Sequence, residues 1–238
     1  MVRSPLLYYI TSRAAFPGDE QARRFRLLEK IEEAVGCGID YIQLREKDMP
    51  IRELESLARE AVRIICGTPK KPGTENRERR TRLLINSRTD VALAAGADGV
   101  HLPANDVSPT DVQKAWKDGA SQGDTSILRP PQFATSNRVD PLIAVSCHSP
   151  EEVIRATASC ATFAVFAPVF EKKDAPGTAP AGPDALRQAC YANIPVLALG
   201  GVTLQNAKPC MQAGASGIAG IRLFQENKIA TIVRELCG

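Results

Sequence analysis

The sequence predicts an α/β protein in which eight parallel strands close into a TIM (β/α)8 barrel, with residues 1–238 forming one domain. Three observations carry this expectation. Short apolar or β-branched runs recur along the whole chain with helical patterns between them, and such alternation implies parallel pairing. A small-residue segment recurs at Gly36-Cys37-Gly38-Ile39-Asp40-Tyr41, Gly96-Ala97-Asp98-Gly99-Val100 and Gly214-Ala215-Ser216-Gly217-Ile218, with a degenerate copy at Cys160-Ala161-Thr162-Phe163. A repeat in every quarter of the chain is what four βαβα units in a closed barrel would show. Finally, 238 residues lie close to the roughly 250 typical of this architecture.

The first strand is expected at Leu6 to Ile10, a continuous apolar run. The second, Tyr41 to Leu44, is entered through the first repeat copy, where glycine supplies a left-handed helix cap and small residues let helix and strand pack closely. A helix over Ile51 to Ile65 follows, with Leu54, Leu57, Ala58, Ala61 and Val62 at helical spacing. The third and fourth strands are Arg82 to Ile85 and Gly99 to Leu102, and the fifth is Leu142 to Val145. The helix Pro150 to Ala158 is opened by Ser149 as N-cap, with Glu151 and Glu152 in a first turn whose dipole favours negative charge. Phe163 to Phe166, Pro195 to Leu199 and Gly217 to Ile221 complete the set. Two stretches break the rhythm and read as exposed insertions: 67–80, rich in Pro, Gly, Lys and Arg, and 117–138, long, polar and interrupted by Pro130-Pro131.

Composition excludes several classes of function. A net charge of +3 is too small to argue for nucleic acid or an anionic membrane. The basic residues Lys70, Lys71, Arg77, Arg79 and Arg80 are interspersed with Glu75 and Glu78 and lack aromatic neighbours, so they read as a solvated loop. No apolar run approaches the ~20 residues that span a bilayer, and Leu6 to Ile10 is too short for a signal-peptide core, so a cytoplasmic protein is expected. The seven cysteines are odd in number, scattered and without a C-x-x-C pair, which suits neither a disulfide framework nor a zinc site. Cys147 sits between Ser146 and His148, but neighbours on a strand face opposite sides and make no dyad.

In a β/α barrel the working residues stand at the C-terminal ends of the strands. After the second strand comes Gln43-Leu44-Arg45-Glu46-Lys47, an anion clamp in which Arg offers a planar fork, Lys a compact charge, and Gln a donor and acceptor able to orient a heterocycle. Asn86-Ser87-Arg88 follows the third strand, His101-Leu102-Pro103-Ala104-Asn105-Asp106 the fourth, and Ser146-Cys147-His148 the fifth. The sixth is followed by Pro168-Val169-Phe170-Glu171-Lys172-Lys173-Asp174, the seventh by Gly200-Gly201, and the eighth by Arg222. Gly200-Gly201 fits the phosphate site usual after the seventh strand, and equally a tight turn. Asp106 is the best single candidate for holding Mg²⁺, and His101 and His148 read as packing or supporting residues.

Read together, Gln43-Leu44-Arg45-Glu46-Lys47, Ile85-Asn86 leading through Asp90-Val91-Ala92-Leu93-Ala94 to Gly96-Ala97-Asp98-Gly99-Val100-His101-Leu102, Ser146-Cys147-His148, Pro168-Val169-Phe170 and Gly200-Gly201-Val202 resemble the thiamine phosphate synthase family. The match runs in order across almost the whole chain, and the first two blocks are its specific part. The resemblance implies an Mg²⁺-dependent transferase that condenses 4-amino-5-hydroxymethyl-2-methylpyrimidine diphosphate with hydroxyethylthiazole phosphate, giving thiamine phosphate and pyrophosphate. It implies further that Gln43, Leu44, Arg45, Glu46, Lys47 and Asn86 hold the pyrimidine diphosphate, with Ser146 near its reacting end. Lys172 and Lys173 would meet the pyrophosphate, and Gly200, Gly201, Ile221 and Arg222 the thiazole phosphate. Lys47, Ser146 and Lys172 would form the catalytic set, and Asp106 and Ser87 would bind the metal. Partners would be these small phosphorylated molecules, with no nucleic acid and no membrane; a homo-oligomer is left open.

Three departures mark this chain. Ser87 stands where the family carries a second metal-binding Asp, the threonine-rich segment after the sixth strand is missing, and Arg222 replaces a small hydroxyl residue. Two other readings compete: a thiazole tautomerase, disfavoured because Ala167 stands where those relatives carry His, and a non-catalytic phosphate-binding barrel, favoured by Ser87.

Overall fold

The computed structural model describes residues 4–69, 80–122, 140–171 and 179–238. Strands β1 (Leu6–Ile10), β2 (Tyr41–Leu44), β3 (Arg82–Asn86), β4 (Gly99–Leu102), β5 (Leu142–Cys147), β6 (Phe163–Phe166), β7 (Val196–Ala198) and β8 (Gly217–Gly220) each pair in parallel with the next. β8 pairs back onto β1, with Leu6 opposite Gly217 and Tyr9 opposite Gly220, so the sheet is a closed barrel. Around it run α1 (Glu20–Gly36), α2 (Ile51–Gly67), α3 (Thr89–Ala95), α4 (Pro109–Gln122), α5 (Pro150–Ala158), α6 (Gly182–Ala189), α7 (Ala207–Gln212), α8 (Arg222–Gln225) and α9 (Ile229–Cys237). Among the described residues no helix is long and apolar enough to cross a membrane.

Several expected boundaries move. β5 continues through Cys147, so Ser146 belongs to the strand and does not follow it. β7 is shorter than expected because Pro195 has no N–H for the ladder, and Ile221 already turns into α8 with φ −94° and ψ −75°. Residues 117–122, expected in an insertion, extend α4, whose Val112 and Trp116 sit four apart and pack on the core. Gly67, expected in the other insertion, is the last residue of α2. The rest of the two expected insertions, at 70–79 and 123–137, lies outside the described residues, with Arg138 among them.

The quarter-chain repeat is one hydrogen-bonded joint built four times. Gly38, Gly96, Cys160 and Gly214 each take a left-handed backbone, at φ 78°, 70°, 64° and 99°. The residue after each donates its N–H back into the helix just ended: Ile39 to Ala34, Ala97 to Ala92, Ala161 to Ala156 and Ala215 to Cys210, at 2.9–3.1 Å. The next residue, Asp40, Asp98, Thr162 or Ser216, donates its N–H to Leu7, Leu83, Ile143 or Val196 on the preceding odd strand. In the first three copies its side-chain oxygen also accepts from the N–H of Leu7, Leu83 or Ile143. Each joint thereby satisfies helix-end carbonyls and sets where the even strand enters the sheet.

Alternation along the strands divides the core into two. Leu7, Tyr9, Ile42, Leu44 and Ile85 face the helices. Tyr8, Leu84, Leu142, Phe163, Val165 and Leu197 fill the barrel. Its floor is aromatic: Tyr41 stacks on Phe163 with ring centroids 4.8 Å apart, and Tyr8 meets both edge-on at 5.9 and 5.6 Å. Above this floor the inward positions become polar, and there the site begins.

Candidate active site

Inward alternation places Gln43, Asn86, His101 and Ser146 at the C-terminal mouth on the side formed by β2 to β5. Leu199 and Ile221 stand beyond β7 and β8 and pack on the interior cluster, so the opposite wall is apolar. The polar arc is joined by hydrogen bonds. Gln43 Nε2 donates to Asn86 Oδ1 at 2.9 Å, and Asn86 Nδ2 donates to Ser87 Oγ at 3.2 Å. His101 Nε2 lies 2.7 Å from Ser146 Oγ, and its Nδ1 lies 3.0 Å from the Tyr8 hydroxyl. Gln43 is 1% exposed, and its Oε1 is the one buried side-chain nitrogen or oxygen without a hydrogen-bond partner among the described residues. Leaving such an acceptor unmet costs about 1–3 kcal/mol, so a donor on a ligand would be rewarded there.

Burial and then the nearby Arg45 charge push the His101 imidazole down to about 3, so the ring is neutral. Burial likewise raises the Tyr8 hydroxyl well above its ordinary value. Cys147, which lies beside Ser146 in sequence, is pushed up to about 12, chiefly by burial, and is an inert thiol.

The clamp after β2 separates into two roles. Arg45 is half-buried and Lys47 exposed, and neither side chain has a hydrogen bond or ion pair among the described residues. Their charges are therefore available to an anion. Glu46, expected to touch substrate, instead turns into the protein. Its Oε1 accepts from the Thr11 hydroxyl at 2.6 Å, and its Oε2 accepts from the Arg13 backbone N–H at 3.0 Å and from Arg13 Nη1 at 3.4 Å. Thr11 Oγ1 also accepts from the Arg45 N–H at 3.0 Å, and Arg13 grips Asp48 through Nη1 at 2.8 Å and Nη2 at 3.0 Å. Leu44, also expected at the substrate, packs into the sheet–helix core because it faces the opposite side of β2 from Gln43. Neither the Glu46 nor the Leu44 side chain belongs to the mouth.

Ser87 takes a left-handed backbone at φ 57° and donates its N–H to the His101 carbonyl, which binds the ends of β3 and β4 together. Asp106 is exposed, and its Oδ1 accepts from the Val107 N–H at 2.8 Å. It shares a cavity of about 190 Å³ with Ser146, Cys147, Glu152 and Arg155. No group of three or more His, Cys, Asp or Glu side chains able to hold a metal occurs among the described residues.

Gly200 and Gly201 have φ of 92° and 65°, and the loop after β6 lies directly on them. A Cβ on Gly201 would stand 2.4 Å from the Glu171 carbonyl oxygen, so the glycine is required by the turn whatever it also binds. Ile221 and Arg222 follow β8, with Arg222 half-buried at the start of α8. Lys172 and Lys173 lie outside the described residues. The residues that brace the site, Tyr8, Thr11 and Arg13, escaped the sequence reading. Their signal was available, since Thr11-Ser12-Arg13 follows the first strand as the clamp follows the second.

Comparison with known proteins agrees with this geometry. The family profile described as thiamine monophosphate synthase matches residues 7–126 and 131–224. A thiamine-phosphate synthase of Methanoculleus marisnigri is 33% identical over 235 residues, covering 97% of this chain and 92% of that protein. One from Chlorobium luteolum is 32% identical over 220 residues, covering 92% and 84%. A solved structure, the thiamine phosphate pyrophosphorylase of Pyrococcus furiosus, superposes with a TM-score of 0.69 at 25% identity, covering 97% of this chain and 93% of its own. A closed parallel barrel, a polar arc with one acceptor left open, two available cations at its rim and these matches over nearly the full chain place the protein in the thiamine monophosphate synthase family.

Proposed function

We propose that this chain is a thiamine-phosphate synthase that joins 4-amino-5-hydroxymethyl-2-methylpyrimidine diphosphate to hydroxyethylthiazole phosphate and releases pyrophosphate. The observation that carries the reading is the buried, unmet Gln43 Oε1 on an inward position of β2, whose following loop holds Arg45 and Lys47. An exocyclic amine is the donor that oxygen lacks, and a diphosphate is the anion those cations suit. Gln43 would orient the pyrimidine, with Asn86 holding the Gln43 amide in place. Arg45 and Lys47 would neutralise the diphosphate, joined by Lys172 and Lys173 from the loop after β6. Ser146 would stand near the reacting carbon, and Lys47, Ser146 and Lys172 would act on the substrate directly. The thiazole phosphate would meet Gly200, Gly201, Ile221 and Arg222, and the apolar Leu199 and Ile221 would keep water from the pyrimidine methyl cation left when pyrophosphate departs.

Mg²⁺ prefers oxygen ligands, commonly one or two carboxylates, with substrate phosphates and water completing its shell. Asp106 and Ser87 offer such oxygens beyond the adjacent strands β4 and β3, so the residues fit the ion. When bound, it would supply positive charge to the departing pyrophosphate. Ala167, at the position where tautomerases carry His, is buried and provides no acid or base. The scattered, unpatterned cysteines support a cytoplasmic enzyme.

The test is to incubate the purified protein with both substrates, with and without Mg²⁺, and to measure pyrophosphate and thiamine phosphate. Metal-dependent appearance of both is expected. Failure to form thiamine phosphate by a folded protein that binds either substrate would refute the reading.

A further inference from the structure

We propose that Tyr8 and His101 are positioning residues that set the hydrogen-bond polarity of Ser146, so that Ser146 presents a hydroxyl hydrogen to the ligand and has its acceptor side occupied. The argument begins at the bottom of the chain of contacts. Tyr8 is fully buried within the barrel, and the partner its hydroxyl has is His101 Nδ1, at 3.0 Å. A buried O–H with one acceptor in reach donates to it, because leaving the hydrogen unpaired costs about 1–3 kcal/mol. Nδ1 therefore carries a lone pair. A neutral imidazole with its lone pair on Nδ1 carries its hydrogen on Nε2, and Nε2 is 2.7 Å from Ser146 Oγ. Ser146 Oγ must accept, and its own hydrogen is left to turn towards the mouth.

A charged imidazole would break this sequence, since Nδ1 would then also be a donor facing the Tyr8 hydroxyl. His101 is 3% exposed, and the groups its ring nitrogens meet, the Tyr8 hydroxyl and Ser146 Oγ, offer no negative charge to an imidazolium. A single histidine between a buried phenol and a serine thus works as a one-way hydrogen-bond relay. It does not donate or take a proton in the reaction.

The relay has a consequence for selectivity, which rests on the function proposed above. Both ring nitrogens of a 4-aminopyrimidine are acceptors, and its amino group is a donor. A serine fixed as donor and Gln43 Oε1 fixed as acceptor match those two kinds of group. A 4-oxo pyrimidine offers a carbonyl and a ring N–H in their place and would leave buried polar groups unpaired.

The experiment is nitrogen-15 NMR of the full chain labelled at histidine, reading which ring nitrogen of His101 bears hydrogen. The chain has two histidines, so a His148→Asn variant assigns the signals. Neutral His101 with hydrogen on Nε2 across the neutral pH range is expected. A charged ring, or hydrogen on Nδ1, would overturn the proposal without any recourse to activity. Tyr8→Phe should shift the tautomer towards Nδ1–H and raise KM for the pyrimidine diphosphate about tenfold while KM for the thiazole phosphate is unchanged. An unchanged tautomer with both KM values unaltered would remove Tyr8 from the relay. The wild-type spectrum decides the polarity even if that variant does not fold. A protein that makes no thiamine phosphate would sink the proposed function and leave the tautomer result standing.

Discussion

Single residues decide what the mouth can hold. Gln43 donates to Asn86 and Asn86 donates to Ser87, which leaves the Gln43 carbonyl oxygen as the open acceptor of the arc. Ser87 is a residue at which the family resemblance implies an aspartate. A hydroxyl can hold a cation or a water bound to it, but it supplies no negative charge. Ser87→Asp should therefore lower the Mg²⁺ concentration giving half-maximal turnover by about tenfold, in a titration of initial rate against metal. Asp is also at ease in the left-handed backbone that Ser87 occupies at φ 57°, so the change should leave Tm within a few degrees. Asp106→Ala should abolish the metal-dependent rate, and normal activity in that variant would refute its assigned role. These residue types were legible in the sequence. The commitment of each oxygen was not, because a hydrogen bond between β2 and β3 joins positions 43 and 86 that no local pattern relates.

At the scale of elements, the loop after β2 shows how a charged run divides between binding and bracing. Arg45 and Lys47 are left without side-chain partners among the described residues, while Glu46 and Asp48 hold Arg13. Burial raises the Glu46 carboxyl above its ordinary value, with the hydrogen bonds from Thr11 and Arg13 opposing the rise. A raised carboxyl binds protons more readily folded than unfolded, so its contribution to stability is greatest in acid and is lost as pH rises through the folded pKa. Glu46→Gln should flatten that part of the Tm-against-pH curve and, by loosening Thr11 and the Arg45 backbone, raise KM for the diphosphate several-fold. A KM equal to wild type would show that the brace does not position the clamp. The helix-to-strand joints give a second test. Cys160 stands in the degenerate copy with φ 64°, where the other copies have glycine. Cys160→Gly should stabilise by about 0.5–1 kcal/mol, the relief of a left-handed side chain less the greater freedom of glycine when unfolded, and denaturant melts would check it. The repeat was visible as a run of small residues; the reason for its third residue, an oxygen that accepts from the preceding odd strand in three of the joints, appeared only when the strands were brought side by side.

Across the whole molecule, the barrel is graded from an aromatic floor to a polar mouth. Phe163 is fully enclosed by Tyr8, Tyr41 and the interior aliphatics, and Phe163→Ala should cost about 3–5 kcal/mol in a chemical melt, with a loss below about 1 kcal/mol contradicting this packing. Since Tyr8 joins that floor to His101 and Ser146, the same variant should also disturb the proposed pyrimidine site. The sequence by itself determined the alternation of strand and helix, the closed parallel barrel, the polar and charged run at 43–47 and the family, because each is written in local periodicity, turn residues or contiguous motifs. Only the tertiary structure decided that the Glu46 and Leu44 side chains turn away from the mouth, that Tyr8, Thr11 and Arg13 brace it, and that one wall is polar and the other apolar. The physical reason is closure: β1 lies between β2 and β8, and residues at 43, 86, 101, 146 and 221 share one rim, above Tyr8, only after eight strands meet edge to edge.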